Sequence, residues 1–138
     1  MTDRKRALVA LTALGDALVF VLFVALTPIE HGSVEIAAFG RTALPFAAVW
    51  FFGSPWLGAF RTSTLTRLRI AAWRVPLIWL GCGILAVMLR VWLTDRTFSW
   101  AFTIASISLV AALLVVWRIA LILAARRITR RPRRSPPA

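Results

Sequence analysis

Apolar residues in this chain arrive in runs of about twenty, separated by short basic or polar stretches. Roughly twenty residues is the helical length that crosses about 30 Å of hydrocarbon. Four such runs can be drawn. The first covers residues 7–27 and is closed by Pro28. The second, residues 36–57, is the least uniform, since it carries Arg41, Pro45 and the break Gly53-Ser54-Pro55. The third, 75–94, follows the Trp73-Arg74 pair. The fourth, 98–117, has a helical pattern that extends through ALILAARR toward the tail. The pattern predicts an all-α fold: an antiparallel bundle of four transmembrane helices, one domain over residues 1–125. Residues 126–138 end in ITRRPRRSPPA, a basic, Pro-rich tail whose composition predicts disorder. No internal repeat or heptad array is visible.

Composition strengthens the membrane reading. Hydrophobic residues make up 60% of the chain and charged residues 16%, against about 45–50% and about 25% in soluble domains. A soluble core built from 138 residues would leave much of that apolar surface in water. The formal net charge is +12, and every basic residue except Lys5 is arginine. In a soluble protein this balance would suggest nucleic acid. Here the arginines flank apolar runs and no aromatic–basic module accompanies them, so nucleic acid is set aside as a partner.

The distribution of Lys and Arg sets a direction. Arg4, Lys5 and Arg6 precede the first run, and Arg61, Arg67, Arg69 and Arg74 separate the second from the third. Arg126, Arg127, Arg130, Arg131, Arg133 and Arg134 follow the fourth, and Arg118, beside Trp117, is counted with them. The opposite side keeps Arg41, Arg90 and Arg96, together with Glu30, Glu35 and Asp95. Four spans with both termini cytoplasmic satisfy these positions, which places the protein in the cytoplasmic (inner) membrane. The first run reads as an uncleaved helix: it is long for a signal-peptide core of about 7–15 residues, and Asp16 interrupts it. Trp56, Trp73 and Trp117 fall near the inner boundary and Trp92 and Trp100 near the outer one, as aromatic belts require. Trp50 and Trp79 sit deeper, where they are expected to fill space inside the bundle.

Asp16 stands in the middle of the first run, LVALTALGDALVFVLFVALTP. An ionised side chain at the bilayer centre costs at least roughly 2.5–3.5 kcal/mol on insertion scales, so it needs compensation. Protonation, a cation or hydroxyls on a neighbouring helix, or a water-filled cavity would each supply it. Thr12, Asp16, Phe20, Phe23 and Thr27 share one helical face, which should point into the bundle. Thr12, Thr103 and Ser106 are candidate hydrogen-bonding partners, hydroxyls of the kind that join membrane helices at about 0.6 kcal/mol each. Arg90 stands about 10 Å nearer the outer surface than Asp16, at roughly 1.5 Å per residue, a gap that an arginine side chain largely spans. Arg41 lies at a similar depth.

Two arrangements follow. In one, Arg41 and Arg90 form an intramembrane polar site of the outer leaflet, with Glu30 and His31 from the loop above and Asp16 below. In the other, both arginines extend to lipid phosphates and Asp16 joins helices by hydrogen bonds. The basic tail is expected to meet anionic lipid headgroups, at about 1 kcal/mol per arginine near the surface. No phosphate-binding glycine loop, HExxH or paired catalytic carboxylates occur, so the chain is read as a non-enzyme. One Cys and one His are too few for a protein-only metal site, and no cofactor is expected.

The early aspartate followed by Phe and His in GDALVFVLFVALTPIEHG, the TALPF segment, WLGCGILAVMLR and AF…VVWR occur in an order that resembles the domain of unknown function 3054 family. These are small prokaryotic proteins with four predicted transmembrane helices, and the likeness runs from about Leu14 to Arg118. The family tends to carry Gly-Arg before the histidine, where this chain has Thr27-Pro28. The resemblance implies an integral membrane protein and supplies no activity. Two classes of function are left: a non-enzymatic membrane subunit or bundle component, alone or with a membrane-protein partner, and a small oligomeric transporter or channel subunit using Asp16. The small multidrug resistance family shares four short helices and an early acid. Here, however, the acid is Asp, the surrounding signature is missing, and the charge bias argues against dual-topology assembly. If Asp16 is structural, Asp16→Asn should be nearly silent; if it carries protons, the same change should abolish coupled flux.

Overall fold

The computed structural model describes residues 3–26, 36–94 and 98–129, with side chains described throughout these ranges except at Arg4, residues 36–42, Thr94 and Thr129. The described residues form five helices and no strand: α1 (Asp3–Leu26), α2 (Ile36–Gly53), α3 (Thr62–Thr66), α4 (Leu68–Thr94) and α5 (Trp100–Thr129). Three stretches are long and apolar enough to cross a membrane: Lys5–Leu26, Leu68–Leu93 and Trp100–Ile128. A shorter apolar helical stretch, Ala43–Gly53, lies in α2.

The four long helices close a ring in which α1 touches α2, α2 touches α4, α4 touches α5 and α5 returns to α1. Numbers that rise along one helix meet numbers that fall along its neighbour. Asp16 meets Trp50 and Phe23 meets Phe46 across α1 and α2; Trp79 meets Ile107 and Arg90 meets Phe102 across α4 and α5. The short helix α3 packs against α4, α1 and α5 at the end of the ring.

The helices are apolar on nearly every side, so what separates their faces is residue size and aromatic content. Phe20, Phe23, Phe46, Trp50 and Trp79 are buried and touch ring to ring, at centroid distances from 5.5 to 6.1 Å. Leucines such as Leu14, Leu18, Leu77 and Leu85 point outward. That arrangement suits a hydrocarbon surround, in which exposed leucine is not penalised and close packing supplies the attraction between helices. Two glycines bring helices together. A side chain at Gly83 would press on Ile107, and one at Gly15 would occupy the space of the Trp117 indole.

Several helix limits fall elsewhere than the hydropathy pattern predicts. Helix α4 starts at Leu68 rather than at 75, because RIAAWR continues the helix beyond the apolar run. Helix α5 runs to Thr129, twelve residues beyond the limit at 117, as ALILAARR indicated. The second run stops being helical at Gly53, and Ser54–Phe60 form a turn instead.

That turn is a Schellman closure. The Ala59 N–H donates to the Ser54 carbonyl at 3.0 Å and the Gly58 N–H to the Pro55 carbonyl at 3.1 Å. Gly58 holds φ +84, the left-handed conformation that this closure requires and that side chains oppose. Thr64 adds a hydroxyl hydrogen bond to the Gly58 carbonyl at 3.1 Å, tying α3 to the turn. The Ala59 carbonyl is thereby aimed back into the ring.

Candidate functional site

Asp16 has no exposed surface, and its carboxylate is bonded by two other helices. From α5, Arg118 presents its fork: Nε donates to Oδ1 at 3.1 Å and Nη2 to Oδ2 at 2.5 Å. From α2, the Trp50 indole Nε1 donates to Oδ2 at 3.1 Å. The remaining face of the guanidinium is used as well. Its Nη1 donates to the Ala59 carbonyl at 3.0 Å, and the Phe60 ring lies 5.0 Å from its centre. Arg118 is 1% exposed, so both charges are withdrawn from solvent together. Bidentate geometry is the strongest form of this pairing, and Ala59 accepts from the third donor group.

Local sequence explains each contribution. Gly15 precedes Asp16, and with no side chain there α1 lies against Trp117, the residue before Arg118. The two backbones therefore approach where the charges must meet. Trp50 is held by Trp79 in an edge-to-face contact at 5.8 Å, and Trp79 is fixed by donating its own N–H to the Ile107 carbonyl at 2.9 Å. Gly58 sets the turn that delivers Ala59 and Phe60.

The pairing corrects the expected site. Asp16 bonds neither Arg90 nor the hydroxyls of Thr12, Thr103 or Ser106. Thr12 is buried one turn before Asp16, but its hydroxyl returns to the Leu8 carbonyl at 2.7 Å. Thr103 likewise bonds the Ser99 carbonyl of its own helix at 2.8 Å. Threonines in helices commonly do this, because the i−4 carbonyl is always within reach. Ser106 is buried farther along α5. Arg90 lies over the Phe102 ring, 4.2 Å from its centroid, near the far end of α4. Neither His31 nor the Arg41 side chain is among the described residues, so the proposed meeting of His31, Arg41 and Arg90 lies partly outside them.

Sequence reasoning overlooked Arg118 and Trp50. The charge pattern groups Arg118 with the surface arginines, yet it is among the largest fully buried side chains. The depth of Trp50 predicts a packing role, and its indole N–H also donates to the carboxylate. A signal for Arg118 was present: IALIL follows it, so it lies inside an apolar stretch rather than at its edge. Among the described residues no group of three or more His, Cys, Asp or Glu is placed to hold a metal ion.

A family model, described as protein of unknown function (DUF3054), matches residues 13–121. The chain belongs to this family. The match spans both Asp16 and Arg118, so the whole pairing falls within the DUF3054 region. No curated protein and no solved structure matches the chain.

Proposed function

We propose that this DUF3054 protein is a multi-pass inner-membrane protein, an antiparallel bundle of four spans with both termini on the cytoplasmic side. We further propose that it serves as a non-enzymatic membrane subunit. The observation that carries this reading is the state of Asp16: its carboxylate is fully buried and bonded by Arg118 and Trp50. A carboxylate that carried protons through the membrane would have to exchange them with water, and here a guanidinium occupies it. The contacts bind α1, α2, α5 and the Ala59 turn at one depth, which fixes the relative height of the helices.

Removing one partner of a buried charge pair is far more costly than the pair is stabilising, and we read this pair as setting register more than adding stability. The positive side of the reading is an outer surface of leucines and tryptophans suited to lipid or to another membrane protein. The spans of α1, α4 and α5 support the membrane placement, and the excess of Arg at the termini and between α2 and α4 supports the orientation.

Purification of the full chain from its native membrane, with its stoichiometric companions identified, tests the subunit role; a lone homo-oligomer would count against it. Reconstitution into vesicles with an imposed pH gradient tests the transport alternative, because proton flux lost in an Asp16→Asn chain that stays folded would favour that class instead. Extraction at alkaline pH reports separately on membrane integration: a released chain would refute it.

A further inference from the structure

A groove of about 380 Å³ opens on the outer surface of the bundle, lined by Leu57, Trp73, Arg74, Leu77, Ile78 and Gly81. It runs from the turn that follows α2 along α4. Its wall is apolar: Leu57 and Leu77 are exposed, and a side chain added at Gly81 would meet nothing. Cations gather at one end. A side chain added at Gly58 would lie 2.9 Å from Arg61 Nε and 3.1 Å from Arg74 Nη2, so both arginines fold over the same glycine.

Two guanidinium groups brought to one point repel unless an anion lies between them. No Asp or Glu occurs from Ile36 to Thr94, and among the described residues no carboxylate is paired with either arginine. Arg74 donates to the Leu57 carbonyl only at a long 3.4 Å, and its remaining N–H groups are uncommitted to that contact. Trp73 is 62% exposed beside the groove and Trp56 is 88% exposed near it, the placement of aromatic residues at a headgroup boundary.

We propose that Arg61 and Arg74 bind the phosphate of an anionic phospholipid whose acyl chain lies in the groove along Leu57, Leu77 and Gly81. Guanidinium forks match phosphate oxygens, and the groove supplies what a free phosphate would not use. The site stands apart from the Asp16–Arg118 pair. It rests on the membrane reading, which alkaline extraction tests on its own, whereas the measurement below is made in detergent and reports only on lipid.

The full chain in mild detergent is titrated with phosphatidylglycerol brominated on its acyl chains, and quenching of tryptophan fluorescence is followed. Phosphatidylcholine with the same brominated chains and inorganic phosphate serve as comparisons. Saturable quenching is expected, with phosphatidylglycerol favoured over phosphatidylcholine by about tenfold or more. Arg61→Gln with Arg74→Gln should abolish the preference, whereas Arg126→Gln with Arg127→Gln, in the basic tail, should lower it only in part. Gly81→Leu, whose Cβ would meet nothing and whose side chain would take up groove volume, should weaken binding of both lipids. The proposal is overturned if the Arg61/Arg74 variant keeps its preference, or if the Arg126/Arg127 variant loses as much. Competition by inorganic phosphate with Gly81→Leu silent would instead indicate a site for a free anion. Should the double arginine variant fail to fold, unchanged binding in Gly81→Leu overturns the proposal by itself.

Discussion

Asp16 and Arg118 stand 102 positions apart in the chain and meet at 3.1 and 2.5 Å in a bidentate pair with almost no exposed surface. The pair reverses one expectation drawn from sequence. An isosteric Asp16→Asn change looked silent for a structural aspartate, but it would leave the Arg118 guanidinium buried without its counter-charge. A loss of about 3–5 kcal/mol is expected for Asp16→Asn or Arg118→Gln alone. Replacing both, as in Asp16→Leu with Arg118→Met, should recover most of that loss, because an apolar pair leaves no charge uncompensated. Unfolding in mixed micelles, followed by circular dichroism, measures all three; additive losses in the double variant would show that the two residues act separately.

Trp50 contributes a neutral donor to the same carboxylate, so its N–H can be tested apart from its bulk. Trp50→Phe keeps an aromatic ring against Trp79 and removes only part of the packing. Hydrogen bonds to charged groups are worth about 1.5–3 kcal/mol, and the loss should fall in that range before packing is added. Trp79→Phe removes a bond to the neutral Ile107 carbonyl, where about 0.5–1.5 kcal/mol is expected. The same unfolding measurement ranks the two, and a larger loss at Trp79 would contradict the ordering.

The inward face of α1 was legible because helical period alone aligns Thr12, Asp16, Phe20 and Phe23, and all four are buried. The partner of Asp16 was not, for a reason specific to hydropathy. A window average reads Arg118 as the end of a span, because arginine lowers the mean wherever it stands. The helix itself continues to Thr129. Counted from the start of α1 and back from the end of α5, Asp16 and Arg118 lie at similar depths, at roughly 1.5 Å per residue. Depth measured from helix ends would have paired them; depth measured from hydrophobic edges could not. Thr12 and Thr103 misled in a different way. Their spacing suggested bonds between helices, but a hydroxyl on a helix meets its own i−4 carbonyl first.

Gly15 can be tested through its neighbour. In Gly15→Ala the new methyl would collide with the Trp117 indole and push α1 from α5 beside the charge pair. Overpacking of this kind costs about 1–3 kcal/mol, and displacement of Asp16 should add to it. Trimming the indole in Gly15→Ala with Trp117→Leu makes room for the methyl. The double variant should be more stable than Gly15→Ala alone, and a double-mutant cycle with no coupling would show that the contact is not the cause.

Gly58 links the turn to the pair through the Ala59 carbonyl. At φ +84 an alanine must adopt a left-handed conformation, which costs roughly 1–2 kcal/mol, and its methyl would also press on Arg61. If the turn yields rather than bears the strain, the Ala59 carbonyl moves and Arg118 Nη1 loses its acceptor at 3.0 Å. Asn tolerates the left-handed region better than Ala, so Gly58→Asn should be the milder change. The relation to Arg118 can then be isolated. Gly58→Ala should be less damaging in an Asp16→Leu with Arg118→Met background, where no guanidinium needs the carbonyl. Equal losses in the two backgrounds, by unfolding in micelles, would restrict the role of Gly58 to the conformation of the turn.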